Sequence, residues 1–597
     1  MKALLFPAVR AAWRAARPII RLCVLLAFAV AGGGHALAAD ADKVLRVASS
    51  DIDTLDPHQL QDKFSRDVSL LINEGLFEWS YLDRPPVASP RTATGAPEVS
   101  ADGRTWTIRL QPGIHFTDDP AFKGRKRELV AADYAYSIKR ALDPNLRGGG
   151  DPEITNLIVG MREVVDAAAK PGARFDYDAP VAGLVAVDKY TLQLRFTAVN
   201  YPVATEILMQ QAVAREVVDD AKGDIQSRVV GTGPYRLAEW QRGTRVVLTA
   251  NPDYRELRFP ASTDPAHAAL VQEMRGRKLP AIRRIEMAII DEQNVRVLEF
   301  ESGKLDVIEL RGEAVGPLLR NGEIAPPLAA RGIRRVPYVT NSVRSLYVNM
   351  LDPVLGGMTR EHIALRRAIA LGIDAETLVR VIYAGQALPA NQMMAPGLAG
   401  FDAAWPKREY DPALAAALLD RMGYGKRDAQ GFRLQPDGKP LTVVLTIFTG
   451  TVWREIQTLL KKNMDSLGVR LDFRAVPVQD LFKEVAQGKF MLAIHGRSLT
   501  PMGLGFGQFY GPNPPEGNES RFRYAPFDRA YEAFLRAPTP EDRAREARTM
   551  VAILHYYAPI MPLLVDVQNA FVQPWLKGYA PSPFGSYFQY MDLARAP

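Results

Sequence analysis

Leu441-Thr442-Val443-Val444-Leu445-Thr446-Ile447-Phe448 is followed by Val452, Ile456, Leu459, Leu460, Met464 and Leu467, then by Gly468 and Val469-Arg470-Leu471-Asp472-Phe473. This stretch decides the fold class. The first run is short, apolar and strand-like. The middle residues recur every three or four positions, which is one stripe of a helix, and Gly468 is its stop signal. The last run alternates apolar and polar residues, as a half-buried strand does. The order is β-α-β, which calls for a right-handed crossover and parallel pairing. Outward from here the same signals repeat. Thr105–Leu110 alternates before the Pro112-Gly113 turn, and Tyr190, Leu192, Leu194 and Phe196 alternate again. Asp411-Pro412 opens a helix that Gly423 ends, and Asp374 caps a helix expected over 375–384 before Gly385. The chain reads as mixed α/β, with no repeats and no long linker.

The 597 residues are 47% hydrophobic and 24% charged, which is soluble globular composition. Length alone suggests about three to four domains. The net charge of +7 is concentrated at the start, where residues 1–38 hold five cations and no acid, leaving +2 for the rest. A near-neutral body lacks the basic face expected of a nucleic-acid binder. Residues 1–38 read as a secretory signal peptide. Arginines precede the apolar run Leu22–Ala31, and Ala36-Leu37-Ala38 is a small-x-small cleavage site, with a cut after Ala39 as the alternative. The run falls short of the roughly 20 residues that span a bilayer. The spacing of Arg10, Arg14, Arg17 and Arg21 resembles a mitochondrial presequence, but the compact apolar core and A-x-A end favour export. Cys23, the single cysteine, lies in this leader. The mature chain is therefore expected to have neither disulfides nor thiol chemistry.

Motifs for catalysis are missing. The seven histidines form no tight ligand spacing. Gly231-Thr232-Gly233 lacks the third glycine of a dinucleotide fingerprint, and Gly496-Arg497-Ser498 lacks the second glycine of a nucleophile elbow. No catalytic residue, metal site or cofactor is assigned.

Several segments in order carry a family resemblance. They include Thr54-Leu55-Asp56-Pro57-His58, Glu74-Gly75-Leu76, Ser100–Phe116, Gly231-Thr232-Gly233-Pro234-Tyr235, Asn251-Pro252-Asp253-Tyr254, Ser302–Asp306, Leu365–Asp374 and Tyr410-Asp411-Pro412. Over about residues 44–580 the chain resembles the large periplasmic solute-binding proteins of ABC importers, of the oligopeptide, dipeptide, nickel and opine type. The resemblance implies a two-lobed periplasmic binding protein fold. Lobe I would comprise 39–335, with an extra subdomain at about 95–228, and lobe II 336–567. Residues 568–597 would return to lobe I, and the crossings would lie near Val336–Leu346 and Leu563–Phe571. It implies a periplasmic, monomeric, non-enzymatic protein that captures a peptide or peptide-like solute and delivers it to permease subunits of the inner membrane. Opines, sugar derivatives and metal chelates stay open as ligands. A secreted hydrolase or transferase is the rival, and a scaffold or adhesion protein a third reading.

Candidate contacts come from position in the family. Gln61 and Lys63 follow the Asp56-Pro57-His58 turn, whose successors line the cleft. Asn391 and Met393 belong to a loop that reaches into it, although Met393 is equally suited to the core. In Gly496-Arg497-Ser498-Leu499-Thr500, the family's peptide binders carry an Asp for the ligand ammonium about where Thr500 stands, and Thr500 cannot supply that charge. Arg497 suits a carboxylate or phosphate, or is a salt-bridged surface residue. Ser498 sits beside it. Asp566 interrupts the apolar Met561–Val567, so it either meets a ligand amine or pairs with an arginine.

Overall fold

A computed structural model describes residues 43–407 and 409–594. The expected leader and its cleavage site lie outside the described residues.

One sheet of 11 strands runs through the molecule. Its strands in chain order are β1 (Val44–Ser49), β2 (Tyr235–Gln241), β3 (Arg245–Ala250), β4 (Arg284–Ile289), β5 (Val307–Leu310) and β6 (Arg334–Val348). They continue as β7 (Ala387–Pro389), β8 (Thr442–Phe448), β9 (Arg470–Val476), β10 (Leu492–Ser498) and β11 (Ile560–Val572). In space they follow β9-β8-β10-β6-β11-β5-β1-β4-β3-β2, with β7 against β11. Helices α1 (Lys63–Ile72) and α2 (Thr451–Leu467) pack on this sheet, one at each end of it. The β8-α2-β9 unit is parallel as its sequence requires, and Gly468 ends α2 at φ 73°.

The two lobes are defined by their cores. Leu45, Val68, Leu71, Tyr235, Ile285 and Val572 pack in the first. Leu346, Leu365, Ile447, Leu460, Ile494 and Leu563 pack in the second. A further core, with Trp106, Tyr134, Leu192 and Ile207, covers a four-stranded sheet that includes Thr105–Arg109 and Thr191–Arg195. The long strands β6 and β11 are common to both lobes. They pair antiparallel from Arg334↔Val572 to Tyr347↔Ile560.

Asp411 and Asp374 are the caps their sequences suggested, each accepting a backbone N–H three residues on, at 2.8 Å. The helix expected over 375–384 is α-helical only for Ala375–Thr377 and continues as a π-turn over Leu378–Ile382. The β-branched Val379, Val381 and Ile382 crowd an α-turn.

The family motifs converge on buried charge. Glu74 accepts from Thr232 Oγ1 and Tyr254 Oη at 2.9 Å, and from both terminal nitrogens of Arg255 at 2.9 and 2.8 Å. Arg91 Nε closes the cluster at 2.7 Å. Burial pushes the Glu74 carboxyl up, but Arg91 and Arg255 outweigh it and hold it below the usual range. Gly231 and Gly233 are glycines for space: a Cβ there would stand 2.0 and 2.6 Å from the Ile72 carbonyl oxygen. Asp56 is held by Arg140 through two 2.6 Å bonds, and Arg140 also donates to His58 Nδ1 at 3.0 Å.

Candidate functional site

Parallel strands of both lobes aim their carboxyl ends at the shared pair β6–β11. Leu310, the end of β5, faces Asn569, and Ser498, the end of β10, faces Ser342. Ligands of α/β sheets bind outside such carboxyl ends. Here two sets of ends oppose each other across one cleft. Between Val339 and Val343 the β6–β11 ladder shifts register. Asn341 turns instead to Leu499, giving and taking bonds with its backbone at 2.9 Å.

Two cavities lie here. The larger, about 480 Å³, is walled by Arg84, Phe584, Leu388 and Leu398, and by Val339 and Val567 of the shared strands. The smaller, about 130 Å³, includes Lys63, Asp67, Glu309, Gln568 and Tyr579 beside apolar residues such as Phe64 and Val68. Glu309 accepts from Tyr338 Oη at 3.0 Å and Tyr579 Oη at 2.9 Å. Lys63, first residue of α1, donates to Asp67 at 2.5 Å. Burial alone would lower the Lys63 pKa, but Asp67 and Glu309 outweigh it and raise it, so the group stays an ammonium. Burial, then Glu309, lifts the Tyr338 phenol well above its usual value.

In the second lobe, Arg344 donates to Asp566 at 3.0 Å. Its guanidinium lies 5.0 Å from the Trp453 ring and 5.9 Å from the Tyr383 ring, distances that suit cation–π contact. Asp566 is therefore a paired acid on the shared strand.

The structure separates the sequence candidates. Lys63 lines the smaller cavity, Ser498 ends β10, and Thr500 and Asp566 line neither cavity. Ser498 is exposed, and the Thr500 hydroxyl is buried with no partner. Arg497 stands at the same strand end, and its guanidinium is spent on the buried Glu519. Gln61 is exposed against Gly148 and lines neither cavity. Asn391 and Met393 line neither of these two cavities and instead line a separate one of about 380 Å³, with Trp405, Leu554 and His555. Met393 is 4% exposed and belongs to the second-lobe core, where its flexible thioether fills space. Asn391 donates to the carbonyls of Trp405 and Pro406, tying a loop together. That loop enters the cleft only later, at Pro396–Leu398. Arg84, Glu309, Tyr338 and Tyr579 were missed. Glu309 carried a legible signal, since it interrupts Val307-Ile308-Glu309-Leu310 as Asp566 interrupts its own strand. Among the described residues, no three His, Cys, Asp or Glu side chains are grouped to hold a metal, and no helix is long and apolar enough to cross a membrane.

Residues 88–508 match the bacterial extracellular solute-binding proteins, family 5 middle. The chain belongs to this family. Its members are solute-binding proteins of ABC importers, and the relatives are binding proteins rather than enzymes. This family 5 chain is 24% identical over 532 residues to di/tripeptide-binding protein 2 of Pseudomonas aeruginosa, covering 83% of this chain and 86% of the relative. It is 22% identical over 507 residues to heme-binding protein A of Haemophilus influenzae, covering 82% and 81%. Its fold is shared with NikA from Brucella suis in complex with Fe(III)-EDTA, at TM-score 0.69 and 18% identity, covering 93% of this chain and 100% of that one. Three ligand chemistries thus occur on one frame, so the frame does not fix the ligand.

Proposed function

We propose that this chain is the periplasmic, monomeric substrate-binding component of an ABC importer. It closes around a peptide or peptide-like solute and hands it, chemically unaltered, to the membrane permease. In this reading β6 and β11 are the hinge. Lobe I is 39–335 with the 95–228 subdomain, lobe II is 336–567, and 568–597 returns to lobe I. The observation that carries the reading is the opposition of two sets of strand carboxyl ends across a shared two-stranded connection with a broken ladder. Lobes joined in this way close by hinge bending around what they both touch, and the closed state gains population through that differential affinity.

Thr500 and the paired Asp566 favour a second reading, in which the solute is not a standard free-amine peptide. The test is mass spectrometry of small molecules released on denaturing the purified chain, followed by calorimetric titration with peptides, glutathione, hemin and a nickel–histidine chelate. Peptides bound and recovered intact support the first reading. Binding of only hemin or the chelate establishes the second, and a cleaved product overturns both.

A further inference from the structure

We propose that Arg84 is an anion-recognition residue of the larger cavity, and that the solute presents to it a carboxylate attached to an apolar group. This rests on the solute-binding reading above and specifies its ligand. Arg84 Nη1 donates to the carbonyls of Tyr81 at 3.2 Å and Asp83 at 2.7 Å, and Nη2 donates to that of Pro581 at 3.2 Å. Carbonyls orient a guanidinium without cancelling its charge. Of the five N–H donors an arginine carries, the Nε–H and one on Nη2 are left by these bonds. Burial lowers the Arg84 pKa, and Tyr587, Tyr81, Asp83 and Asp264 act against this without restoring it.

The surroundings point to the ligand. Among the described residues on the cavity wall, Arg84 is the one charged side chain, and Val339, Leu388, Leu398, Val567 and Phe584 supply apolar surface. A cation beside apolar walls is costly until an anion joins it. One positive charge fits a monoanion, and a planar fork fits a carboxylate in bidentate fashion. A phosphate dianion would bring a second charge with no second cation on this wall. The arginine also touches the opposite lobe: a Cβ on Gly397 would lie 3.6 Å from Arg84 Cδ. An anion held here is therefore held where the lobes approach each other.

Calorimetric titration of the mature protein and of its Arg84→Gln and Arg84→Lys variants tests this. The probes are a panel of apolar di- and tripeptides as free acids and as C-terminal amides, with 4-phenylbutyrate and 4-phenylbutyramide as non-peptide controls. Circular dichroism melts establish that each variant is folded. In the unsubstituted protein, amidation is expected to cost about tenfold or more in affinity, as loss of a charged hydrogen bond does. In Arg84→Gln the acid and amide should bind alike, and Arg84→Lys should keep part of the preference. If neither variant folds, the acid–amide difference in the unsubstituted protein decides. Equal binding of acid and amide there, an unchanged preference in folded Arg84→Gln, or no binding of any probe overturns the proposal. Peptides that bind regardless of amidation sink the role of Arg84 and leave the peptide reading standing. A preference for 4-phenylbutyrate with no peptide bound does the reverse.

Discussion

Glu74 and Arg84 are close in the chain and opposite in circumstance. The Glu74 carboxylate is met by two arginines, a tyrosine and a threonine, and every one of these partners belongs to the frame. The Arg84 guanidinium gives its hydrogen bonds only to carbonyl oxygens, with the Asp83 and Asp264 carboxylates acting on it without bonding to it, on the wall of the larger cavity. The first arrangement is complete without a guest and the second is not. Family motifs mark the complete kind: Glu74-Gly75-Leu76, Gly231-Thr232-Gly233 and Asn251–Tyr254 come together around one carboxylate. They preserve the frame whatever the ligand is, so discrimination has to lie in residues such as Arg84 that no motif flags.

This contrast can be broken most directly at Glu74. Glu74→Gln leaves Arg255 facing a neutral group and Arg91 with Glu78 alone, and removal of one partner from such a buried pair costs about 3–5 kcal/mol. Urea unfolding should show that loss, and a loss below about 1 kcal/mol would mean that the cluster is not complete in itself. A similar effect comes from pH at His58. Its Nδ1 accepts from Arg140, so Nε2 carries the proton and donates to the Gln211 carbonyl at 3.0 Å. Burial, then Arg140, lowers its pKa to about 4. The native ring stays neutral while the unfolded chain takes up a proton below about pH 6.5. Its contribution is thus complete above pH 6.5 and is lost as pH falls toward 4, by about 3 kcal/mol at 1.36 kcal/mol per unit. Stability measured at several pH values, native against His58→Gln, should differ in slope across that window. A smaller effect is expected of Gly231→Ala, whose Cβ would press on the Ile72 carbonyl. Overpacking of this kind costs about 1–3 kcal/mol and should lower the melting temperature without a change in ligand affinity.

How much of this was legible depends on where the information sits. The β8-α2-β9 unit was readable because strand, stripe and glycine stop are local signals. The caps Asp374 and Asp411 were readable because a cap acts three residues away. The π-turn over Leu378–Ile382 was not, since the same residues suit an α-helix until crowding decides between them. At the site, Asp566 could be picked out as a charge interrupting an apolar strand and Lys63 by its place after Asp56-Pro57-His58, but their partners Arg344 and Asp67 required the fold. Met393 and Asn391 came from a family loop match, and only the fold shows that they line a second-lobe cavity instead of the two between the strand ends. Arg84 gave no local signal at all: its character depends on Pro581 and Gly397, distant in the chain and brought to it only by the fold.

Arg497 supplies the finest test, because its sequence suggested the role that is proposed for Arg84. Its side chain is 45% exposed at the cleft end of β10, but it is paired with Glu519, which is 6% exposed. Next to them His495 lies with Nε2 3.4 Å from a Glu519 oxygen, and burial, then Arg497, lowers its pKa to about 3. Removing the guanidinium removes the second of those causes and leaves burial, so His495 stays neutral and can meet Glu519 only as an N–H donor, across the 3.4 Å that already separates them. Arg497→Gln should therefore fold and change affinity for an apolar free-acid peptide by less than about twofold, near 0.4 kcal/mol on a scale of 1.4 kcal/mol per tenfold. Arg84→Gln, in the same titration, should cost about tenfold or more. If the two variants exchange these outcomes, the ligand anion belongs to Arg497, Glu519 only holds that side chain in place until a guest arrives, and the contrast between spent and unspent charge has been drawn at the wrong arginine.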